Sequence, residues 1–369
     1  MATKERMSAA MPFLSECVLG LVTVCCAAMH IMAPSLSAQF STLMVGGLFA
    51  LILVPASLVY ACWYCVDYLF PGTYIEYFVY TFCAVYGVAM LVLDKSHIRP
   101  LPVDCYRKPE TWLERQSYDF WKSHFDYFPM TIEVDPKVQL PPTKQYIFGV
   151  HPHGIHCWPL NMFAFPESPF DKKFPGLVGK RLTGLAATVV FKIPVVRELF
   201  LSMGYVDASK NVAKKALAKG RSLFICTGGE AESMLTSPGK EQVVLKDRKG
   251  FVKLALSYGC SLVPVYGVGV SDLYTTYDLG TLKLRKSLQK KTGIALPFFH
   301  GWFGTPMPYR VPVRVLIGEP IDTPAVVEKG KEVDEDLLNE YHRKYIDALN
   351  KLYIQHVSGR HLDVVASSH

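Results

Sequence analysis

Between Glu16 and Asp67 the sequence carries no formally charged residue. That gap limits what the chain can fold into more than any other feature. A helix that crosses a bilayer needs about 20 mostly apolar residues. Three stretches reach or approach that length: Phe13–Ala33, Ser41–Cys65 and Tyr74–Leu93. Residues 1–94 are therefore expected to form an N-terminal hydrophobic helical region in a membrane. Its charged residues are Lys4, Glu5, Arg6, Glu16, Asp67, Glu76 and Asp94, so the net charge of +7 comes from the rest of the chain. Lys4 and Arg6 precede the first stretch, and Lys95, Arg99, Arg107 and Lys108 follow the last. Basic flanks favour the cytosol, so the number of crossings is expected to be even. The second and third stretches then form a hairpin turning at Asp67–Thr73, while Phe13–Ala33 lies in the interface or re-enters. A signal peptide cleaved near Ser35-Leu36-Ser37-Ala38 competes for the first stretch, which is longer than the roughly 7–15 apolar residues of such a signal.

The ten cysteines do not form a disulfide framework. Cys17, Cys25, Cys26, Cys62, Cys65 and Cys83 lie in the apolar stretches, and the others lack paired spacing. Such scattered thiols suit a reducing cytosol. Residues 95–143 read as a connecting segment, and residues 144–369 as a cytosol-facing α/β domain. Strands are expected at Tyr146–Val150, Ser222–Cys226, Ser261–Val265 and Val313–Ile317, alternating with helices at Lys210–Lys219, Gly250–Tyr258 and Glu335–Gln355. In the last helix Leu338, Tyr341, Tyr345, Leu349 and Leu352 recur at helical spacing, a stripe read as core packing without functional weight. Val357–His369 reads as a frayed tail.

Three loops carry the chemistry. The apolar run Tyr146–Val150 delivers His151-Pro152-His153-Gly154 to a strand end, where open α/β sheets place their sites. Imidazole moves protons near neutral pH, Pro152 stiffens the turn, and Gly154 lets backbone or substrate come close. After Ser222–Cys226 comes Thr227-Gly228-Gly229-Glu230-Ala231-Glu232-Ser233. Its glycines expose main-chain N–H groups, and its carboxylates either partner an imidazole or favour the start of the next helix. The third loop is Lys246-Asp247-Arg248-Lys249-Gly250, where basic residues lead into a helix start. That is either an anion site or a solvated face.

Several chemistries are set aside. There is no G-x-S-x-G nucleophile elbow, no phosphate-binding G-x-x-x-x-G-K-[ST] and no G-x-G-x-x-G after a strand. His151, His153, His156 and Cys157 lack a second histidine cluster to complete a metal site, so no metal is expected. The dispersed basic residues of a membrane-tethered chain give no reason to expect nucleic acid.

Taken in order, these loops resemble the diacylglycerol acyltransferase type 2 family, which also holds monoacylglycerol and wax-alcohol acyltransferases. The resemblance starts at Tyr127-Phe128-Pro129 and Tyr146-Ile147-Phe148-Gly149-Val150-His151-Pro152-His153-Gly154. It continues through Gly228-Gly229-Glu230-Ala231-Glu232-Ser233, Pro238-Gly239-Lys240 and Arg248-Lys249-Gly250-Phe251-Val252-Lys253-Leu254-Ala255-Leu256. Leu262-Val263-Pro264-Val265-Tyr266 and Phe299-His300-Gly301 complete it, spanning roughly Tyr118 to Tyr353. The extra stretch Phe13–Ala33 departs from the family's single hydrophobic hairpin. The resemblance implies a membrane-anchored, glycerolipid-acyltransferase-like α/β domain. It also implies acyl transfer from acyl-CoA to a diacylglycerol hydroxyl, at the endoplasmic reticulum membrane as a multi-pass protein and at lipid droplets. Acyl-CoA is then a substrate, and no cofactor is implied. Oligomeric state, including a homo-oligomer, stays open.

His151 and His153 carry over from the family's His-Pro-His-Gly as catalytic residues, with His153 the general base and His151 shaping the turn. Related glycerolipid acyltransferases place an acid in a His-x4-Asp motif. Here Trp158 stands in that place, so Glu232 is taken as the acid that orients the histidine. Gly154, Gly228 and Gly229 are expected at the substrate as oxyanion donors, Arg248 and Lys249 at the CoA phosphates, and Tyr127, Phe128 and Pro129 as further substrate contacts. His156 and His300 are read as structural. The competing readings are a monoacylglycerol or fatty-alcohol acceptor, a metal-dependent membrane hydrolase built on the histidine cluster, and a silent lipid-droplet protein.

Overall fold

The structure is a computed structural model that describes residue 98, residues 127–157 and residues 161–367 except 165–167, 179–180, 194–195, 279, 293–295, 306, 325–332 and 358–361. The apolar stretches of residues 1–94 and most of the connecting segment lie outside the described residues. Among the described residues no helix is long and apolar enough to cross a membrane.

The strands are β1 (Thr131–Val134), β2 (Tyr146–His151), β3 (Leu182–Ala186), β4 (Tyr205–Asp207), β5 (Ser222–Cys226), β6 (Gln242–Val244), β7 (Ser261–Val268), β8 (Thr275–Tyr277), β9 (Phe298–His300), β10 (Arg314–Ile317) and β11 (Asp363–Val365). The helices are α1 (Asn161–Ala164), α2 (Pro169–Lys173), α3 (Val196–Ser202), α4 (Lys210–Ala218), α5 (Glu230–Leu235), α6 (Gly250–Tyr258), α7 (Leu282–Thr292) and α8 (Glu335–His356). Seven strands form one mixed sheet in the order β1-β10-β7-β2-β5-β3-β4. All its pairings are parallel except β10 with β7. The chain is thus α/β, as its alternation of strands and helices implies.

Every residue of β2 is buried, as expected for a parallel strand covered on both faces. Alternation sends Tyr146, Phe148 and Val150 into one core, with Phe163, Phe170 and Val263. Ile147 enters the other core, beside Val212 and Ala216 of α4, Val252 and Ala255 of α6, and Leu349 of α8. Each fully buried Val, Leu, Ile or Phe side chain contributes about 1.5–3 kcal/mol, so the two cores fix the register of β2. Helix ends follow their own chemistry. Asp334 caps α8 by accepting the Leu337 N–H at 3.0 Å, and Gly259 ends α6 in the left-handed region at φ 64°.

This topology sets one edge of the sheet apart. The C-terminus of α6 leads directly into β7, whose first residue pairs with the first residue of β2. The N-terminus of α6 therefore lies beside the C-terminal end of β2. The chain crosses β2 between β5 and β7, so this end is also where the strand order reverses, the usual ligand position in such sheets.

The structure differs from the sequence reading at two places that matter for the site. The C-terminal residues read as a tail include β11, which pairs in parallel with β6. The Val365 carbonyl accepts the N–H groups of Leu245 and Lys246. Three residues are too short to show a period in sequence. Secondly, β7 runs on to Val268, because β10 pairs along its far half.

Gly149 faces α8 in the middle of β2. A Cβ there would lie 2.0 Å from the Tyr345 hydroxyl and 2.8 Å from its Cζ. Gly149→Ala is expected to destabilise by about 1–3 kcal/mol through overpacking. Tyr345→Phe in the same chain should recover part of that loss, giving a favourable coupling of at least about 0.5 kcal/mol in a double-mutant cycle. Thermal unfolding of the four proteins in detergent reads the coupling, and strictly additive losses would rule out the contact.

Candidate active site

The histidine pair stands where β2 ends, joined through a cis His151–Pro152 peptide. The strand ends at His151, and the turn that follows separates the two rings. His151 is the last residue of β2 and faces the helices α6 and α8, with its side chain fully buried. Tyr345 of α8 donates its hydroxyl hydrogen to the Gly149 carbonyl at 2.9 Å. Burial pushes the Tyr345 phenol well above its ordinary pKa, so it stays a donor. Its oxygen is then free to accept from His151 Nε2, 3.2 Å away. Thr227 Oγ1 lies 3.0 Å from the same nitrogen, and Phe251 at the start of α6 packs edge-on against Tyr345 at 4.8 Å.

His153 is half-buried on the turn itself. Its Nδ1 lies 3.0 Å from the Gly154 carbonyl. A carbonyl only accepts, so Nδ1 carries the hydrogen and Nε2 keeps its lone pair. Burial pushes the ring's pKa below the ordinary histidine value, opposed in part by the Gly154 carbonyl and the Glu232 charge. The ring is accordingly neutral at physiological pH. Gly154 adopts φ 63°, and a Cβ there would meet Val270 Cγ1 at 2.7 Å, so the turn admits only glycine.

Glu232 ties the turn to its surroundings. One carboxylate oxygen, Oε2, accepts the His153 main-chain N–H at 2.6 Å. The other, Oε1, accepts the Val244 N–H of β6 at 2.7 Å. Oε1 also lies 3.7 Å from His151 Nδ1. Glu232 thus meets the main chain of His153 and the ring of His151, rather than the ring of His153 as expected. Gly228 makes room for this fold-back, because a Cβ there would overlap the Glu232 carboxyl at 2.0 Å.

The remaining expected residues separate. Gly229 opens α5, and its N–H donates to the Cys226 carbonyl at 3.1 Å, which removes it as an oxyanion donor. Arg248 and Lys249 precede α6 at the site's edge of the sheet. Lys249 Nζ donates to Asn339 Oδ1 of α8 at 2.6 Å, and Arg248 is half-buried. Tyr127 and Phe128 are buried. The Tyr127 hydroxyl donates to the Pro308 carbonyl at 2.8 Å, the Phe128 carbonyl accepts the Val313 N–H at 3.1 Å, and Pro129 is exposed beside them. They hold the start of β1 on β10, at the same sheet edge as His151 but three strands away, roughly 14 Å. Their described contacts are hydrogen bonds and packing with the chain around β1 and β10.

His156 is buried, packed edge-on against Tyr274 at 5.6 Å and Phe299 at 5.8 Å. Burial and the neighbouring His153 hold its pKa down at about 3. His300 stacks on Tyr277 at 5.5 Å. Among the described residues no three His, Cys, Asp or Glu side chains converge as metal ligands. Sequence reasoning missed Thr227, Val244 and Tyr345. The one local sign of Tyr345 was a glycine inside a buried strand, which marks a close approach without naming what approaches.

The sequence matches the model of the family described as diacylglycerol acyltransferase across residues 81–365. It is 37% identical over 249 residues to diacylglycerol O-acyltransferase 2 of Dictyostelium discoideum, covering 64% of this chain and 72% of that protein. It is 35% identical over 298 residues to diacylglycerol O-acyltransferase 2 of Bos taurus, covering 75% and 78%. With the Homo sapiens protein of the same name it shares 37% identity over 255 residues, covering 65% and 63%. The crystal structure of a 1-acyl-sn-glycerophosphate acyltransferase from Thermotoga maritima aligns with a TM-score of 0.39 and 17% identity over 77% of this chain and 94% of that one, too distant to carry weight. A match across most of the chain, including every loop that builds the histidine turn, means that the chain belongs to the diacylglycerol acyltransferase family.

Proposed function

We propose that the chain makes triacylglycerol by direct transfer of a fatty acyl group from acyl-CoA to the free hydroxyl of diacylglycerol, with His153 as general base. Family membership supports the reaction. One observation carries the residue assignment: the Gly154 carbonyl holds the hydrogen on Nδ1 of His153, leaving Nε2 as a basic nitrogen on a half-buried turn. His151 is sealed between Tyr345, Thr227 and Glu232, and acts as a positioning residue.

The acceptor hydroxyl gives its proton to His153 Nε2 while its oxygen bonds to the thioester carbonyl carbon. The tetrahedral oxyanion then collapses, the carbon–sulfur bond breaks, and the CoA sulfur leaves as the thiol with the proton from the imidazolium. No covalent enzyme intermediate is needed, because the thioester is already activated. General-base action supplies about 10²–10⁴-fold, and holding two substrates in register supplies more. Main-chain N–H groups of the Gly154 turn are the candidate oxyanion donors. Arg248, at the head of α6, is assigned to the CoA phosphates, with Lys249 anchoring that loop to α8.

The apolar stretches of residues 1–94 support placement in the endoplasmic reticulum membrane as a multi-pass protein with the α/β domain facing the cytosol, and also a lipid-droplet pool. The domain is read as glycerolipid-acyltransferase-like. No metal or cofactor takes part in this scheme.

Microsomes lacking their own triacylglycerol synthesis test the reaction. With labelled oleoyl-CoA and separate diacylglycerol, monoacylglycerol and hexadecanol acceptors, wild type should form triacylglycerol. His153→Ala, at equal protein level, should lose at least about 10²-fold. Preference for another acceptor would rename the substrate, and wild-type turnover by the variant would remove His153 from the mechanism.

The pH profile follows from the same ring. Because burial lowers the His153 pKa, protonation silences the base only below the ordinary value of about 6.5. The acid limb of kcat/KM is expected below that pH, and a limb above it would contradict the assignment. Glu232→Gln should move the limb further down by removing a charge that favours the imidazolium. The same change leaves one acceptor oxygen for two buried N–H groups, which is expected to cost about 1–3 kcal/mol. Unchanged thermal stability and turnover in that variant would show that the two-sided contact is dispensable.

A further inference from the structure

Among the described residues, every exposed large apolar side chain but Ile354 falls between Tyr277 and Phe303. Leu284 is 72% exposed and Phe303 92%. Such residues scattered singly would need no explanation, but a cluster marks an interaction surface.

The surface is a built platform. Arg285 of α7 is buried and donates to the Leu296 carbonyl and to the carbonyl and carboxylate of Asp278, each at 3.2 Å. Its guanidinium also lies over the Phe298 ring at 4.9 Å. Those contacts tie α7 to the β8–β9 hairpin. Beyond β9, Trp302 packs against Tyr309 at 6.1 Å, and Phe303 takes a left-handed φ of 51°. That region is uncommon for a residue with a side chain, and here it holds an aromatic ring in the open.

We propose that the face formed by α7, the β8–β9 hairpin and Trp302–Phe303 seats on a bilayer bearing anionic headgroups. Trp302 and Phe303 enter the boundary between headgroups and acyl chains, and bilayer-borne acceptor reaches His153 past this hairpin. Charge selects this occupant over a protein partner. Asp278 is paired with the buried Arg285, and from residue 279 to residue 318 the sequence has no further acidic residue, while Lys283, Lys286, Lys290 and Lys291 fall in α7. Lysine with Trp, Phe and Leu is the composition of segments that lie in the membrane interface, and basic residues gain from the negative cytoplasmic leaflet. The face also adjoins the site. Phe299 of β9 packs on His156 at 5.8 Å, three residues along from His153. The acceptor-delivery part rests on the diacylglycerol reading, whereas the seating does not.

The full chain reconstituted in phosphatidylcholine–phosphatidylserine vesicles tests both parts. Brominated phosphatidylcholine quenches tryptophan within reach of the acyl chains. The quenched share of emission should be smaller in Trp302→Phe than in the wild type. An equal share in the two proteins means that Trp302 does not meet lipid, which overturns the seating. For delivery, Leu284→Ser with Phe303→Ser should raise KM for vesicle-borne dioleoylglycerol several-fold and leave kcat for a short-chain, water-soluble diacylglycerol unchanged. Equal losses on both acceptors would overturn delivery. A wild type that acylates no acceptor would remove the function reading, while the quenching result would still decide the seating.

Discussion

One buried carboxylate holds the site together. Glu232 comes from the first turn of α5 and binds two main-chain N–H groups that are distant in sequence, one on the histidine turn and one on β6. A carboxylate out of water is tolerated only when its lone pairs are matched, and charge-assisted N–H bonds are the strong kind. The N-terminal position on α5 adds the favourable end of the helix dipole. Removing the carboxylate strips two buried donors of their acceptor. Removing the space beside it, at Gly228, forces it out of place. Even β11 serves this contact, because its pairing with β6 fixes the strand that presents the Val244 N–H.

From that anchor the end of the strand divides the labour between the two histidines. Two residues apart in an extended strand, they would face the same way. The turn after His151 breaks the alternation, so one ring is sealed among Tyr345, Thr227 and Glu232 while the other stands on the turn with one nitrogen held by a carbonyl. The proposed base, His153, must stay reachable, and its support must stay rigid. Two imidazoles with different surroundings meet both demands, as paired titratable groups in different environments do elsewhere.

The sequence made the elements of the central sheet legible where a run was long or strongly patterned. Ser222–Cys226 and Gly250–Tyr258 coincide with β5 and α6 because apolar runs with clear ends leave little choice. The three-residue strands β4, β6, β8, β9 and β11 carry no period to read. Tyr345 shows the other limit. It lies on the apolar stripe of α8 and looks like packing, and much of its side chain does pack. Its hydroxyl reaches the Gly149 carbonyl 196 residues away, a pairing set by the tertiary fold alone. Motif order located the histidine turn, but it could not say which atoms of Glu232 and His153 meet. Tyr127 and Phe128 are the reverse case, where motif membership suggested substrate and the structure places both side chains in the core.

His156 stands beside the histidine turn as a buried, neutral ring. It lies between the histidine turn and the aromatic hairpin, against Tyr274 and Phe299. In the proposed mechanism His153 takes the acceptor's proton, and any second cation nearby would oppose the imidazolium. Burial keeps His156 neutral at physiological pH, since its pKa is held at about 3. Its ring therefore extends the apolar wall toward His153 without adding charge beside the base. A lysine or arginine of the same size would repel the protonated base at short range in a low-dielectric setting, and an aliphatic residue would lack the flat edge that packs both aromatic rings. On the proposed mechanism, one neutral imidazole thus serves both an apolar surface beside the turn and the electrostatics of proton transfer.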